Sequence, residues 1–182
     1  MIPSFLPRVA LASLAALALT AAAPSAHAEG DGPSFKIDAG VARRNLYEIP
    51  FWGGEVHLGF GARFAGGLRL LGNLGVVYAK DDTDLRLTEA TLGVLLEGNV
   101  AGPLFFGGGF DFGNASVRLR NRTPNALGAG LTVHVGVDAV KFEEGRAFFV
   151  QLRGAAHGFA GRGEGGTGPD SVGGSLGVGF RL

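Results

Sequence analysis

Leu127-Gly-Ala-Gly-Leu-Thr-Val-His-Val-Gly-Val-Asp138 decides the fold. Leu127, Ala129, Leu131, Val133, Val135 and Val137 share one parity, and Gly128, Gly130, Thr132, His134, Gly136 and Asp138 share the other. Successive side chains of a strand point to opposite faces. A period of two therefore makes this segment an extended chain with one apolar face and one polar, glycine-rich face.

Outward from that stretch the same alternation recurs. Before it come Phe35–Val41, Val56–Phe64, Leu68–Tyr78, Ala90–Leu96 and Leu104–Phe112; after it come Phe148–Ala156 and Val172–Leu182. The pattern predicts eight strands of about ten residues, the length that crosses a bilayer at a tilt. Proline cannot donate to a sheet ladder. Pro33, Pro50, Pro103, Pro124 and Pro169 are all expected between strands. Connections are expected to alternate: Ala65–Gly67, Gly98–Pro103 and Val140–Arg146 shorter, and Arg43–Gly54, Asn114–Ala126 and Gly158–Ser171 longer. The turn at Asp81–Asp84 is the short exception on the long side.

Composition narrows the class. The chain has 182 residues, a formal net charge of zero, no cysteine, 33 glycines and 46% apolar residues. Neutrality argues against a nucleic-acid partner, which requires a basic face. The absence of cysteine removes disulfides, thiolate metal sites, a cysteine nucleophile and a lipoprotein anchor. Arg8, the apolar run Val9–Ala23, Pro24 and Ala26-His27-Ala28 form a secretory signal with an A-x-A cleavage site. Residues 1–28 are read as this signal and residues 29–182 as the mature domain.

Glycine and side-chain size settle which face meets which solvent. The polar parity carries Lys36, Asp38, Glu55, Arg63, Arg69, Glu89, Glu97, Asp111, Asp138, Arg153 and Arg181, with glycine at most other places. Glycine weakens a strand but makes room inside a narrow tube. The apolar parity carries large Phe and Leu side chains on all eight strands, more than an eight-strand lumen can hold. The reading is an all-β, eight-stranded, antiparallel up-and-down transmembrane β-barrel with charges in the lumen. With both termini in the periplasm, Phe64, Phe106, Phe142, Phe148 and Phe180 fall near one interface, and Tyr47, Phe51, Trp52, Tyr78, Phe112 and Phe159 near the other.

The signal, the eight alternating strands and the C-terminal Leu176-Gly-Val-Gly-Phe-Arg-Leu182 resemble the small bacterial outer-membrane β-barrels, such as the OmpA barrel domain and OmpX-like proteins. In that family the last strand ends in an alternating apolar signature read by the barrel-assembly machinery, usually closing on an aromatic residue; here the close is Leu182, with Phe180 two before it. The resemblance implies residence in the outer membrane of a Gram-negative bacterium. It does not carry over a peptidoglycan-binding role, for which the chain has no second domain.

The chemistry-bearing residues divide into a few sets. Six acidic and five basic lumen positions are read as an ion-pair network that plugs the barrel, because buried charges must be paired. The alternative is a small gated pore through gaps left by the lumen glycines. His57, His134 and His157 share the lumen parity and are read as hydrogen-bonded lumen residues, with no metal or cofactor assigned. A lipid-modifying enzyme is the least favoured reading: His157 and Ser175 share a face, but pairing places His157 opposite Val172, and no catalytic residue is assigned. Arg118, Arg120 and Arg122 recur every second residue and form a ridge suited to lipopolysaccharide phosphates. Asp81, Asp82 and Asp84 lack the pattern of a calcium loop, and Gly163–Gly168 is read as a surface loop. A monomer with a structural or surface-interaction role, working through its outer loops, is expected.

Overall fold

Every alternating segment becomes a strand, and no helix among the described residues is long and apolar enough to cross a membrane. The computed structural model describes residues 32–118, 125–142, 146–159 and 171–182. The strands are β1 (Gly32–Leu46), β2 (Ile49–Arg63), β3 (Arg69–Lys80), β4 (Arg86–Ala101), β5 (Leu104–Arg118), β6 (Asn125–Lys141), β7 (Ala147–Phe159) and β8 (Ser171–Arg181). Each pairs antiparallel with its sequence neighbours, and β8 closes on β1 to give a barrel without an open edge.

The register fixes the barrel's dimensions. Partners lead from Lys36 through Gly59, Asn73, Gly93, Asp111, Gly130, His157 and Ser171 to Leu46, ten residues beyond the start on the same strand. For eight strands that stagger corresponds to a tilt of about 40° and a backbone radius of roughly 8 Å. Val172 and Leu182, both exposed ends of the outward face of β8, are then about 25 Å apart along the axis, the height of a bilayer's apolar band.

Several expectations about strand ends are corrected. The strands are 11 to 17 residues long, so they run past the bilayer. Pro33 lies within β1 and Pro50 within β2. Both sit at strand ends flanked by one neighbour, since β8 pairing begins at Lys36 and β3 pairing at Trp52; such edge positions tolerate a missing N–H. The expected long connection Arg43–Gly54 is a two-residue turn, with Leu46 paired to Ile49 and positive φ at Tyr47 (49°) and Glu48 (71°). Asn114–Arg118 likewise belongs to β5.

Candidate functional site

The polar parity turns inward. Near the terminal rim, where the described residues begin at Gly32 and end at Leu182, Glu97 on β4 is the hub of a buried cluster, itself 0% exposed. Lys36 Nζ donates to it at 2.5 Å, Arg181 Nη1 at 2.9 Å and Arg69 Nη1 at 3.2 Å, and His134 Nε2 lies 3.0 Å away. Arg181 also holds Asp138 at 2.5 Å. Phe105 and Phe149, both inward-facing, pack edge to face and lie beneath these cations: Lys36 Nζ is 5.0 and 4.7 Å from the two ring centres, and the Arg181 guanidinium is 4.5 Å from Phe105. Ring faces attract cations most strongly where water is excluded.

Towards the other rim Arg44 is the hub. Its Nη2 donates to Glu55 at 2.8 Å and its Nε to Glu89 at 3.2 Å, while Ser171 donates to Glu89 at 2.7 Å and Ser175 to Glu55. Arg153 donates to Asp38 at 3.2 Å. Arg44 escaped the sequence reading because its segment was taken for loop; its parity with Lys36 and Asp38 was the available signal. It raises the lumen's cations to six against six carboxylates. Ten of the eleven charges expected in the lumen are buried there. Arg63 instead lies half-buried at the terminal rim, because it is the last residue of β2.

Five glycines of this face stand against a ring from the neighbouring strand. A Cβ at Gly107 would strike the His134 ring, one at Gly130 the His157 ring, one at Gly75 the His57 ring, one at Gly136 the Phe105 ring and one at Gly179 the Phe149 ring. Above Arg44 and Glu89, Leu46, Phe51, Leu87 and Phe159 form an apolar collar with Ala42, Val77, Ala79 and Ala115. Phe51 and Phe159, expected in the outer girdle, therefore face inward at 1% and 7% exposure. Their strands extend farther than the sequence suggested, which leaves both residues on the lumen parity.

The outward face keeps the expected girdles otherwise. Phe148 packs on Phe142 and Phe180 at the terminal rim, with Phe64 and Phe106 exposed nearby. Tyr47, Trp52, Tyr78 and Phe112 are exposed towards the far rim. There, Trp52, Lys80, Arg86 and Arg118 stand side by side on four consecutive strands, and Arg43 lies over the Trp52 ring at 5.3 Å. Arg118 is exposed as expected, whereas Arg120 and Arg122 lie outside the described residues, as do 163–168. Asp81 organises its own turn: its carboxylate accepts from the Thr83 hydroxyl (2.6 Å) and from the Thr83 and Leu85 amides (2.9 and 2.8 Å). The Thr83 hydroxyl, with those amides, holds the Asp81 carboxyl below its ordinary value.

Among the described residues, neither Ser171 nor Ser175 has its hydroxyl hydrogen-bonded to a histidine. His157 pairs with Ser171, one residue from its expected partner, and both Ser171 and Ser175 donate to carboxylates rather than to an imidazole. Of the three lumen histidines His134 is hydrogen-bonded as expected. Neither ring nitrogen of His57 has a hydrogen-bond partner, and nor does Nε2 of His157, which lies 3.9 Å from Asp111.

A closed antiparallel barrel with an apolar belt outside and its charges inside is a membrane-spanning β-barrel. Its fold is that of the small outer-membrane β-barrels of Gram-negative bacteria. Neisserial surface protein A is similar over 84% of this chain and 98% of its own, with a TM-score of 0.60 and 20% identity. Ail, the attachment invasion locus protein of Yersinia pestis, is similar over 84% of this chain and 99% of its own, with a TM-score of 0.50 and 12% identity. No family model matches the sequence, and no curated protein matches it.

Proposed function

We propose that this protein is a sealed, non-enzymatic barrel of the outer membrane that acts through its surface, as a structural or surface-interaction protein. Side chains directed into the bore support this reading: rings stand against several inward glycines, two ion clusters lie in the lumen, and an apolar collar lies beyond Arg44 and Glu89. The similarity to proteins named for surface exposure and attachment supports the same view. Residues 1–28 direct export and are removed after Ala28, the termini face the periplasm, and the assembly machinery reads the alternating end of β8. The mature chain works as a monomer.

The first test is planar-bilayer conductance of the folded barrel. A silent bilayer holding demonstrably folded protein is expected, and stable current steps would establish the small pore instead. The surface role includes a lipid contact. Cations directly opposite one another on neighbouring strands repel, so Lys80, Arg86 and Arg118 gain from a shared anion, and arginine forks suit phosphate. Arg118 ends this row, and Arg120 and Arg122 follow it in the sequence at the same two-residue spacing as further candidates for lipopolysaccharide phosphates. Replacing the three arginines by Gln is expected to reduce lipopolysaccharide co-purification; unchanged retention would refute the contact.

A further inference from the structure

The lumen's charges balance overall but not locally. Towards the terminal rim two carboxylates, Glu97 and Asp138, face Lys36, Arg69 and Arg181, with Arg63 at the rim itself. In the other half four carboxylates, Asp38, Glu55, Glu89 and Asp111, share two described guanidiniums, Arg44 and Arg153. Among the described residues of that half the carboxylates outnumber the guanidiniums by two.

It also holds an under-partnered ligand. His57 is 6% exposed, its Nδ1 has no hydrogen-bond partner, and its Nε2 makes only the longer ion-pair contact with Glu55, whereas buried polar groups are ordinarily hydrogen-bonded. His57 is the cross-strand partner of Asp38, and Glu55 precedes it by two residues on the same face of β2. One donor atom each from Asp38, Glu55 and His57 falls within 4.8 Å of the others. His57 Nε2 stands 3.4 Å from Glu55 Oε1, which is the edge of a tetrahedron with metal–ligand bonds of about 2.1 Å.

The geometry points to a divalent-cation site formed by Asp38, Glu55 and His57 inside the barrel wall. One such ion adds two positive charges among these carboxylates. The mixture of two carboxylates with an imidazole suits a first-row transition ion of the Zn2+ class better than Ca2+ or Mg2+, which prefer oxygen-only shells. The surroundings fix the ligands: Arg44 takes Glu55 Oε2, Ser175 donates to the same carboxylate through Oε1, and Arg153 donates to Asp38. Partners of this kind orient ligands and tune their affinity. Gly75 is part of the design, because a Cβ there would lie 2.6 Å from the His57 ring.

Because all three ligands are buried, the metal is best offered during folding. The protein is unfolded in urea, stripped with chelator, refolded in detergent with or without Zn2+, and desalted. One equivalent of Zn2+ per chain is expected to remain. His57→Gln, Asp38→Asn and Glu55→Gln should each weaken retention at least tenfold. His157→Gln and the combined Asp81→Asn, Asp82→Asn and Asp84→Asn change should leave it unaltered. A heat-modifiable gel shift identifies folded variants. Co2+ refolded into the unmutated barrel provides a check independent of every variant, with visible d–d absorption of a four- or five-coordinate nitrogen/oxygen site expected. No stoichiometric Zn2+, retention that survives His57→Gln in folded protein, or a Co2+ spectrum identical to that of the aqueous ion would overturn the site.

Discussion

Glu97→Gln is the sharpest probe of the plug. The carboxylate is wholly buried and lies within 3.2 Å of Lys36, Arg69, Arg181 and His134. Glutamine keeps the shape but removes the charge and turns an NH2 donor towards other donors. Arg69 and Arg181 are then left with Asp138, and Lys36 with Asp38, as the neighbouring carboxylates. Removing one member of a buried ionic cluster costs about 3–5 kcal/mol, because its partners stay desolvated. With a urea dependence of about 2 kcal/mol per molar, the unfolding midpoint should fall by roughly 1.5–2.5 M. Adding Lys36→Met removes one stranded cation and leaves an apolar chain between the Phe105 and Phe149 rings. The double variant should recover about 1–3 kcal/mol relative to Glu97→Gln alone. Tryptophan fluorescence and gel mobility of the refolded barrel in urea follow both. A midpoint within about 0.5 M of the parent would mean that lumen water solvates the cluster, and the buried-network reasoning would fail.

Three further outcomes follow from local geometry. Glu48→Gly should stabilise the barrel by about 0.5–1 kcal/mol, because a left-handed conformation is costly for residues with a Cβ; a lower urea midpoint would contradict the tight turn at Tyr47–Glu48. Gly130→Ala should destabilise by about 1–3 kcal/mol through collision with the His157 ring. Gly72→Ala, whose Cβ would meet only the Phe60 carbonyl at 3.5 Å, should be nearly neutral, and equal effects would refute the distinction between filled and open glycines. Asp81 titrates below 3.8 in the folded turn, so its contribution is complete above that value and is lost as pH falls through the lowered one. The protection of the Thr83 and Leu85 amides relative to their intrinsic exchange rates should fall only on acidification past 3.8, and loss of protection at higher pH would count against the turn.

Much of the architecture was legible because membrane strands carry a strong chemical code. Leu131 and His134 differ in parity, and that alone places one against lipid and the other in the lumen. Arg44 was hidden because Tyr47-Glu48 lacks the Asn-Gly or Asp-Gly signature of a two-residue hairpin, so the strand seemed to end at Val41. Phe51 and Phe159 were misplaced for the same reason: aromatic residues near a strand end suggest a girdle, and only the length of the strand assigns them a face. The Asp38–Glu55–His57 cluster was invisible because it depends on which residues stand opposite one another.

The sequence alone determined eight strands, their inward and outward faces, and a charge-bearing lumen. A side-chain period of two and the demand that bilayer-facing atoms be apolar leave little freedom. Tertiary structure decided the heights. The ten-residue stagger around the barrel sets Glu97 beside Lys36, Arg69 and Arg181, gathers four carboxylates in the opposite half, and lets rings fill the spaces of distant glycines. Stagger is a closure condition on all eight strands at once, so no single segment of sequence encodes it.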